Sequence, residues 1–275
     1  MKKIPAFLIA EILKCAPRRI GQAIFYRIPA KWFRFDVVVP YMGSQVKIWT
    51  GENIGRKIFF LRDFEAQQLE VFRSLVSKDT VLFDVGANIG VYSLIAGKQG
   101  AKVFSFEPSP EVIPYLEANM EINKYDITHV NEAVGDKQGT ISFYVSTKEN
   151  MGVGRIMEFG KRTDKEKPPV EVRMDTLDHY VEKFGMPTLI KMDIEGAEYF
   201  ALKGGEGMLR SDSAPVMMVE FHPKEIKHFG SSADELMKSI RSYGYHQYAP
   251  DFAKNERWHI FSKKPLSLPK FTEVV

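Results

Sequence analysis

The sequence predicts an α/β fold built on a doubly wound, mostly parallel sheet. Residues Val81–Ser93, VLFDVGANIGVYS, read as a buried strand, a glycine turn and the start of a helix. A second buried strand, AKVFSFEP, ends at Glu107, 21 positions after Gly86. Strand and helix patterns then alternate along the chain, which is typical of a parallel sheet with helices on both faces.

The turn after the first strand predicts a nucleotide-binding site. Gly86 and Gly90 bracket Ala87, Asn88 and a single isoleucine. Glycines tolerate unusual dihedrals and let a backbone come close to a ligand. Glu107 occupies the position from which such folds bind a ribose. The candidate cofactor contacts are therefore Gly86, Ala87, Asn88, Gly90 and Glu107.

Asp84, beside the turn, separates two classes of ligand. Dinucleotide-binding turns carry three glycines, so that a pyrophosphate can lie at a helix N-terminus. This turn has two glycines and a carboxylate, which disfavours a pyrophosphate and favours a ligand with ammonium and sulfonium groups, such as S-adenosylmethionine. The alternative is that Asp84 only caps the turn. A nicotinamide-dependent oxidoreductase is accordingly the less favoured function.

Six motifs resemble the FkbM-like family of S-adenosylmethionine-dependent methyltransferases: DVGANIGVYS, FEPSPE, NEAVGDKQG, TLD, LIKMDIEGAE and VEFHP, in the family's order. The resemblance implies the class I methyltransferase (Rossmann-like) fold, a seven-stranded sheet with an antiparallel last strand. It implies methyl transfer to a hydroxyl of a sugar, a glycan or glycolipid precursor, or a natural product. It also implies an adenine contact from Glu132 or from the backbone around Ala133. A binding module without activity is the non-enzymatic alternative.

The chain is predicted to have three parts. Residues 1–63 form a basic amphipathic extension and a small β layer, residues 64–265 the methyltransferase domain, and residues 266–275 a tail. The strands of the β layer are expected at Phe35–Pro40, Gln45–Thr50 and around Lys57–Leu61.

The elements of the main domain follow from alternating apolar patterns and turn residues. Strands are predicted at Val81–Asp84, Lys102–Glu107, Ile127–Asn131, Thr188–Asp193 and Pro215–Glu220, with an antiparallel pair at Gly244–Tyr248 and Trp258–Lys263. Helices are predicted at Ile89–Lys98, Glu111–Asn123, Asp175–Lys183, Ala197–Leu209 and Ala233–Tyr243. Asn150–Arg155, in a long polar loop, is expected to be an acceptor-side lid, the alternative being a floppy insertion.

Charge and cysteine content limit the partners. The net charge of +3 gives no indication of nucleic-acid binding, and the acceptor is expected to be a small molecule or a glycan. The basic residues concentrate in residues 1–34, which either pack on the domain or a second subunit, or make weak peripheral contact with the inner membrane surface. Cys15 is the only cysteine, so a cytoplasmic location is expected. A homo-oligomer is compatible with this sequence.

Carboxylates and a histidine follow strands four and five, where the chemistry is expected. Asp193, Glu195 and Glu198 lie within DIEGAE, and His222 follows Glu220. An acceptor hydroxyl needs a base to become a good nucleophile. Asp193 is the predicted base and Glu195 orients it or the acceptor, whereas Glu198 caps a helix or joins the site.

His222 is an alternative base, since imidazole titrates near neutrality. Asp193, Glu195 and His222 could also bind a divalent cation. Catalysis without a metal is favoured over that alternative.

Overall fold

The computed structural model describes residues 18–27, 34–145, 155–156, 168–250, 257–266 and 271–273. Its strands are β1 Asp36–Tyr41, β2 Ser44–Trp49, β3 Val81–Val85, β4 Lys102–Phe106, β5 Ile127–Val130, β6 Ala133–Gly135, β7 Gly139–Tyr144, β8 Arg155–Ile156, β9 Val170–Thr176, β10 Leu189–Met192, β11 Val216–Glu220, β12 His246–Pro250, β13 Trp258–Ser262 and β14 Phe271–Glu273. Its helices are α1 Arg18–Arg27, α2 Asn53–Arg56, α3 Ala66–Leu75, α4 Val91–Lys98, α5 Ile113–Asn123, α6 Leu177–Phe184, α7 Glu198–Lys203, α8 Glu206–Arg210, α9 Pro223–His228 and α10 Ala233–Ser242.

The main sheet confirms the predicted doubly wound fold. Its strand order is β14-β12-β13-β11-β10-β3-β4-β5. The five strands from β11 to β5 are parallel, and β13 pairs with β11 in the antiparallel sense. The seven predicted strands are all present, and β14 adds a short strand at the edge from the predicted tail. β3 lies between β4 and β10, so the turn after it opens at the centre of the carboxyl edge.

Burial explains why the central strands read as continuous apolar runs. All four residues of β10 and the last four of β3 are buried, since helices cover both faces of the sheet. One core cluster packs α3 and α4 on one face, and the other packs α6, α7 and α10 on the opposite face. Asp84 and Lys191 are charged residues inside this apolar layer, and both are buried.

The N-terminal β layer is a hairpin of β1 and β2, as predicted, but the third predicted strand is wrong. Lys57–Leu61 forms a π-helix that continues α2. The carboxylate of Glu52 accepts hydrogen bonds from the backbone N–H groups of Ile54 and Gly55, and so starts a helix where the apolar pattern favoured a strand.

The hairpin shares a core with the main sheet. Val46 and Ile48 of β2 belong to the same buried cluster as Leu94 of α4. Asn119 on α5 ties them together: its amide donates to the carbonyls of Lys47 and Ile89, and its oxygen accepts from the N–H of Lys47. The placement of a domain boundary at residue 63 stays a prediction.

A smaller sheet, of order β6-β9-β7-β8, lies beyond β5. Of the predicted lid, Arg155 belongs to β8, and Asn150 to Gly154 lie outside the described residues. The same holds for most of the basic arm, of which α1 is described. Within the described residues, no helix is long and apolar enough to cross a membrane.

Candidate active site

A cavity of about 210 Å³ opens at the carboxyl edge of β3, β10 and β11. The segment before β3 contributes Glu52, Asn53, Ile54, Lys57, Phe64 and Glu65 to its wall, and the glycine turn with the start of α4 contributes Gly86, Ala87, Asn88, Ile89, Val91 and Tyr92. Lys191, Asp193, Glu195, Glu220, His222 and Arg257 complete the lining. The glycine turn and the acidic segments predicted from separate motifs therefore share one cavity.

The glycine turn is packed against the acidic loop. Gly86 has a φ of +74°, and a Cβ on it would lie 1.9 Å from the carbonyl oxygen of Asp193. The N–H groups of Gly86 and Ala87 both donate to the carbonyl of Phe106, at 3.0 and 3.1 Å. Only glycine fits at this position, because the backbone of Asp193, just after β10, leaves no room for a Cβ.

Glu107 lies directly behind the turn. One carboxylate oxygen accepts from the N–H of Asn88 and the other from that of Ser109, both at 2.9 Å. Burial, which outweighs these two hydrogen bonds, raises the pKa of Glu107 above its usual value. Glu107 is buried and is not part of the cavity wall, so its contact with a ribose stays a prediction.

Asp84 is buried and lies outside the cavity wall, so its expected role beside the ammonium group of the ligand stays a prediction. Its Oδ2 accepts from the hydroxyl of Ser93 at 2.6 Å, and its Oδ1 lies 3.4 Å from Nζ of Lys191. An internal lysine therefore already compensates its charge.

Lys191 is a site residue that the motifs did not reveal. Its Nζ donates to the carbonyl of Gly86 at 2.7 Å and lies 5.0 Å from the ring centroid of Tyr92. Burial opposes its charge, but attraction to Asp84 and then to Asp193 leaves its pKa above the usual value. The ammonium group therefore fixes the turn to β10. A lysine inside an otherwise apolar strand was the signal in the sequence.

His222 lies between two carboxylates. Its Nε2 is 3.5 Å from Oδ1 of Asp193 and 3.5 Å from Oε1 of Glu220. Burial opposes its charge, but these carboxylates prevail and raise the pKa of His222 to about 11. An imidazolium ion has no free lone pair, so this geometry favours a carboxylate over His222 as proton acceptor.

Asp193 is held in its ionised form. Burial alone would raise its pKa, but contact with the His222 ring and attraction to Lys191 bring the pKa below the usual value. Its Oδ1 is buried and has no hydrogen-bond partner among the described residues. It faces Nε2 of His222, whereas the side chain as a whole is 27% exposed and lines the cavity.

Glu195 is a second carboxylate on the cavity wall. It has a φ of +53°, and its Oε2 lies 3.8 Å from Nδ1 of His222. Burial and then repulsion from Asp193 raise the pKa of Glu195 to about 7. Its place beside Asp193 agrees with an orienting role.

Glu198 belongs to the loop rather than to the cavity wall. Its Oε1 accepts from the N–H groups of Ile194 and Gly196, at 3.1 and 3.2 Å. It is fully buried, and burial raises its pKa to about 7. Glu198 thus stabilises the loop that carries Asp193 and Glu195.

Asp193, Glu195 and His222 are close enough to bind one cation. Each offers a ligand atom, and these atoms lie within 4.8 Å of one another. Carboxylate and imidazole ligands suit several divalent metals. The same carboxylates are already balanced in part by Lys191 and the protonated His222.

Glu132 and Ala133, the predicted adenine contacts, lie outside the cavity wall. The carboxylate of Glu132 accepts from the hydroxyl of Tyr180 at 2.6 Å and lies 3.9 Å from Nε of Arg173. Ala133 is buried in β6. The adenine contact at this segment stays a prediction. Gly90, with a φ of +87°, packs on Leu116.

The charges of the wall suit S-adenosylmethionine. Five carboxylates line the cavity, those of Glu52, Glu65, Asp193, Glu195 and Glu220, together with the basic side chains of Lys57, Lys191 and Arg257. These carboxylates can attract a sulfonium and an ammonium group. The donor set therefore fits the predicted cofactor.

Comparison with known proteins decides the family. The family model described as the methyltransferase FkbM domain matches residues 84–246. That match covers more than half of the chain and all of the motifs from the glycine turn to β11. The chain belongs to the FkbM methyltransferase family. The assignment supports S-adenosylmethionine as the cofactor.

Two relatives of this FkbM-family chain are methyltransferases. The hexuronic acid methyltransferase AglP of Haloferax volcanii is 30% identical over 186 residues, which cover 64% of this chain and 73% of that protein. The ribosomal protein L11 methyltransferase of Alkaliphilus oremlandii is 32% identical over 92 residues, 33% of this chain and 27% of that one. A solved S-adenosylmethionine-dependent methyltransferase from Agrobacterium tumefaciens aligns with a TM-score of 0.45 and 12% identity, over 83% of this chain and 70% of that one.

Glu107→Ala tests the ribose contact. We expect it to weaken S-adenosylhomocysteine binding by roughly 1.5–3 kcal/mol, the range for a hydrogen bond to a charged group. Titration calorimetry measures the change, and Glu121→Ala, at an exposed position of α5, serves as the control. An unchanged dissociation constant for Glu107→Ala would remove the residue from the site.

Proposed function

We propose that this protein is an S-adenosylmethionine-dependent O-methyltransferase that acts on a hydroxyl of a sugar, free, nucleotide-linked or within a glycan or glycolipid precursor. One observation carries the proposal. The glycine turn backed by Glu107 and the carboxylates after β10 and β11 line the same cavity, and Gly86 packs directly on the backbone of Asp193. A methyl donor on the turn is then adjacent to a proton acceptor.

The relative AglP, a hexuronic acid methyltransferase, supports a sugar acceptor. The polar wall agrees with this, because hydroxyl groups can donate to Asp193, Glu195 and Glu220. The turn after β10 reads Asp-Ile-Glu-Gly rather than the Asn/Asp-Pro-Pro-Tyr pattern expected for amino-group acceptors. Oxygen is therefore the proposed methyl acceptor.

The chain's part in the reaction is to position the acceptor and take its proton. S-adenosylmethionine supplies an electrophilic methyl group bound to a sulfonium. The carboxylate of Asp193 accepts the hydrogen bond of the acceptor hydroxyl and then its proton as the oxygen attacks the methyl group, and S-adenosylhomocysteine leaves. Glu195 orients the acceptor, and His222 keeps Asp193 ionised before the acceptor binds. No metal ion is needed in this scheme, because His222 and Lys191 supply positive charge.

Calorimetry on the wild-type protein tests the cofactor class. We expect S-adenosylmethionine and S-adenosylhomocysteine to bind and NAD not to bind, because the turn lacks the third glycine of a dinucleotide-binding turn. Tight NAD binding without a response to either adenosyl ligand would overturn the proposal and favour an oxidoreductase. Binding of the adenosyl ligands without turnover on any acceptor would favour a binding module.

Asp193→Asn tests the proposed base. We expect S-adenosylhomocysteine affinity to be nearly unchanged and turnover to fall by roughly 10²–10⁴-fold, the usual scale for the loss of a general base. Asp79→Asn, at an exposed position before β3, is the matched control. The pKa of Asp193 lies below its usual value, so this carboxylate stays ionised near neutral pH. The pH–rate profile of the wild-type enzyme should therefore show no loss of activity near neutral pH from protonation of Asp193.

Three results would contradict that assignment. Nearly full activity in Asp193→Asn would make the carboxylate structural. A loss of rate below pH 7 that disappears in Glu195→Gln would move the base to Glu195, whose pKa is about 7. Activity that a chelator abolishes and a divalent cation restores would make Asp193, Glu195 and His222 metal ligands.

A further inference from the structure

The segment before β3 brings one more carboxylate to the cavity. Glu65 precedes α3 with a φ of +50°, an unusual value for a residue other than glycine, and its side chain lines the cavity. Its Oε2 accepts from the hydroxyl of Tyr92 at 2.8 Å. Tyr92 is buried in the helix that follows the glycine turn, so this hydrogen bond fixes the direction of the carboxylate.

The other acidic groups near the cavity already have cationic neighbours. Asp84 lies beside Lys191, and Asp193 and Glu220 each lie 3.5 Å from His222. Within the described residues, no basic group lies within ion-pair distance of Glu65, and the ammonium group of Lys191 attracts it only from farther away. Burial and repulsion from Glu220 raise the pKa of Glu65 to about 7, so a bound cation would stabilise its ionised form.

The sheet order places Glu65 on the side of the turn where the amino-acid portion of the methyl donor is expected. Glu107 follows β4 on one side of β3, whereas Asp193 and Glu220 follow β10 and β11 on the other. Glu65 interacts electrostatically with Asp193 and Glu220, so it lies on their side of the turn. If the ribose of a nucleoside binds at Glu107 and the nucleoside extends across the glycine turn, its 5′ substituent lies on the side of Glu65.

We propose that Glu65 binds the α-ammonium group of the methyl donor's amino-acid portion. This inference rests on the proposed function and reassigns to Glu65 the contact expected of Asp84. The ammonium group donates to the oxygen that faces the cavity, and Tyr92 holds the carboxylate in place from behind. The N-terminal segment is thereby part of the cofactor site.

Binding of two ligands to Glu65→Gln distinguishes an ammonium contact from a structural role of Glu65. S-adenosylhomocysteine carries the ammonium group but no sulfonium, and 5′-methylthioadenosine lacks the whole amino-acid portion. By calorimetry, we expect Glu65→Gln to weaken S-adenosylhomocysteine about 10–100-fold, the scale of a charge-assisted hydrogen bond, and to leave 5′-methylthioadenosine unchanged. Tyr92→Phe, which keeps the charge but frees the carboxylate, should weaken the first ligand less.

Glu70→Gln is the matched control, because Glu70 lies on α3 and forms only an exposed pair with Arg73. It should change neither affinity. Equal affinity of wild type and Glu65→Gln for S-adenosylhomocysteine would overturn the inference, and so would an equal loss for both ligands, which would indicate a structural role. If Glu65→Gln does not fold, the affinities of Tyr92→Phe for the same two ligands are compared instead. A loss for S-adenosylhomocysteine alone supports the inference, and equal changes for both ligands overturn it. A wild-type protein that binds neither ligand would instead refute the proposed function.

Discussion

The site depends on one buried interaction, between the ammonium group of Lys191 and the groups around it on β3. Nζ of Lys191 donates to the carbonyl of Gly86 and lies beside Asp84. A buried charge without a partner is strongly unfavourable, so the lysine and Asp84 must stay together. This pairing holds β10 and the glycine turn at a fixed distance, and the two halves of the cavity are fixed with them.

The same pairing determines the charges above it. Asp84 is neutralised inside the sheet, so the carboxylates on the cavity wall remain available for ligands. The positive charge of His222 partly compensates the negative charges of Asp193 and Glu220, since one imidazolium ion faces both carboxylates. Glu65 is left for a cation that arrives with the ligand. The wall is therefore complementary to a cationic methyl donor and to the hydroxyl groups of an acceptor.

Much of the fold could be predicted from the sequence, because the apolar runs and the turn residues agree locally with the final structure. The bounds predicted for β3, β4 and β10 lie within one residue of those in the structure. Lys57–Leu61 became a π-helix rather than a strand because Glu52 caps the preceding turn. The charge of Asp84 is satisfied by Lys191, which is distant in the sequence. Local patterns do not contain such long-range pairings, and they gave no indication of Glu65.

Transfer of a labelled methyl group tests the central claim most directly. The protein is incubated with S-adenosylmethionine labelled in its methyl group and with a cell extract, and the labelled products are identified by mass spectrometry. The account predicts a methyl ether on a sugar hydroxyl, formed at a much lower rate by Asp193→Asn. Label on a nitrogen atom, on a nucleic acid or on a protein side chain would contradict it.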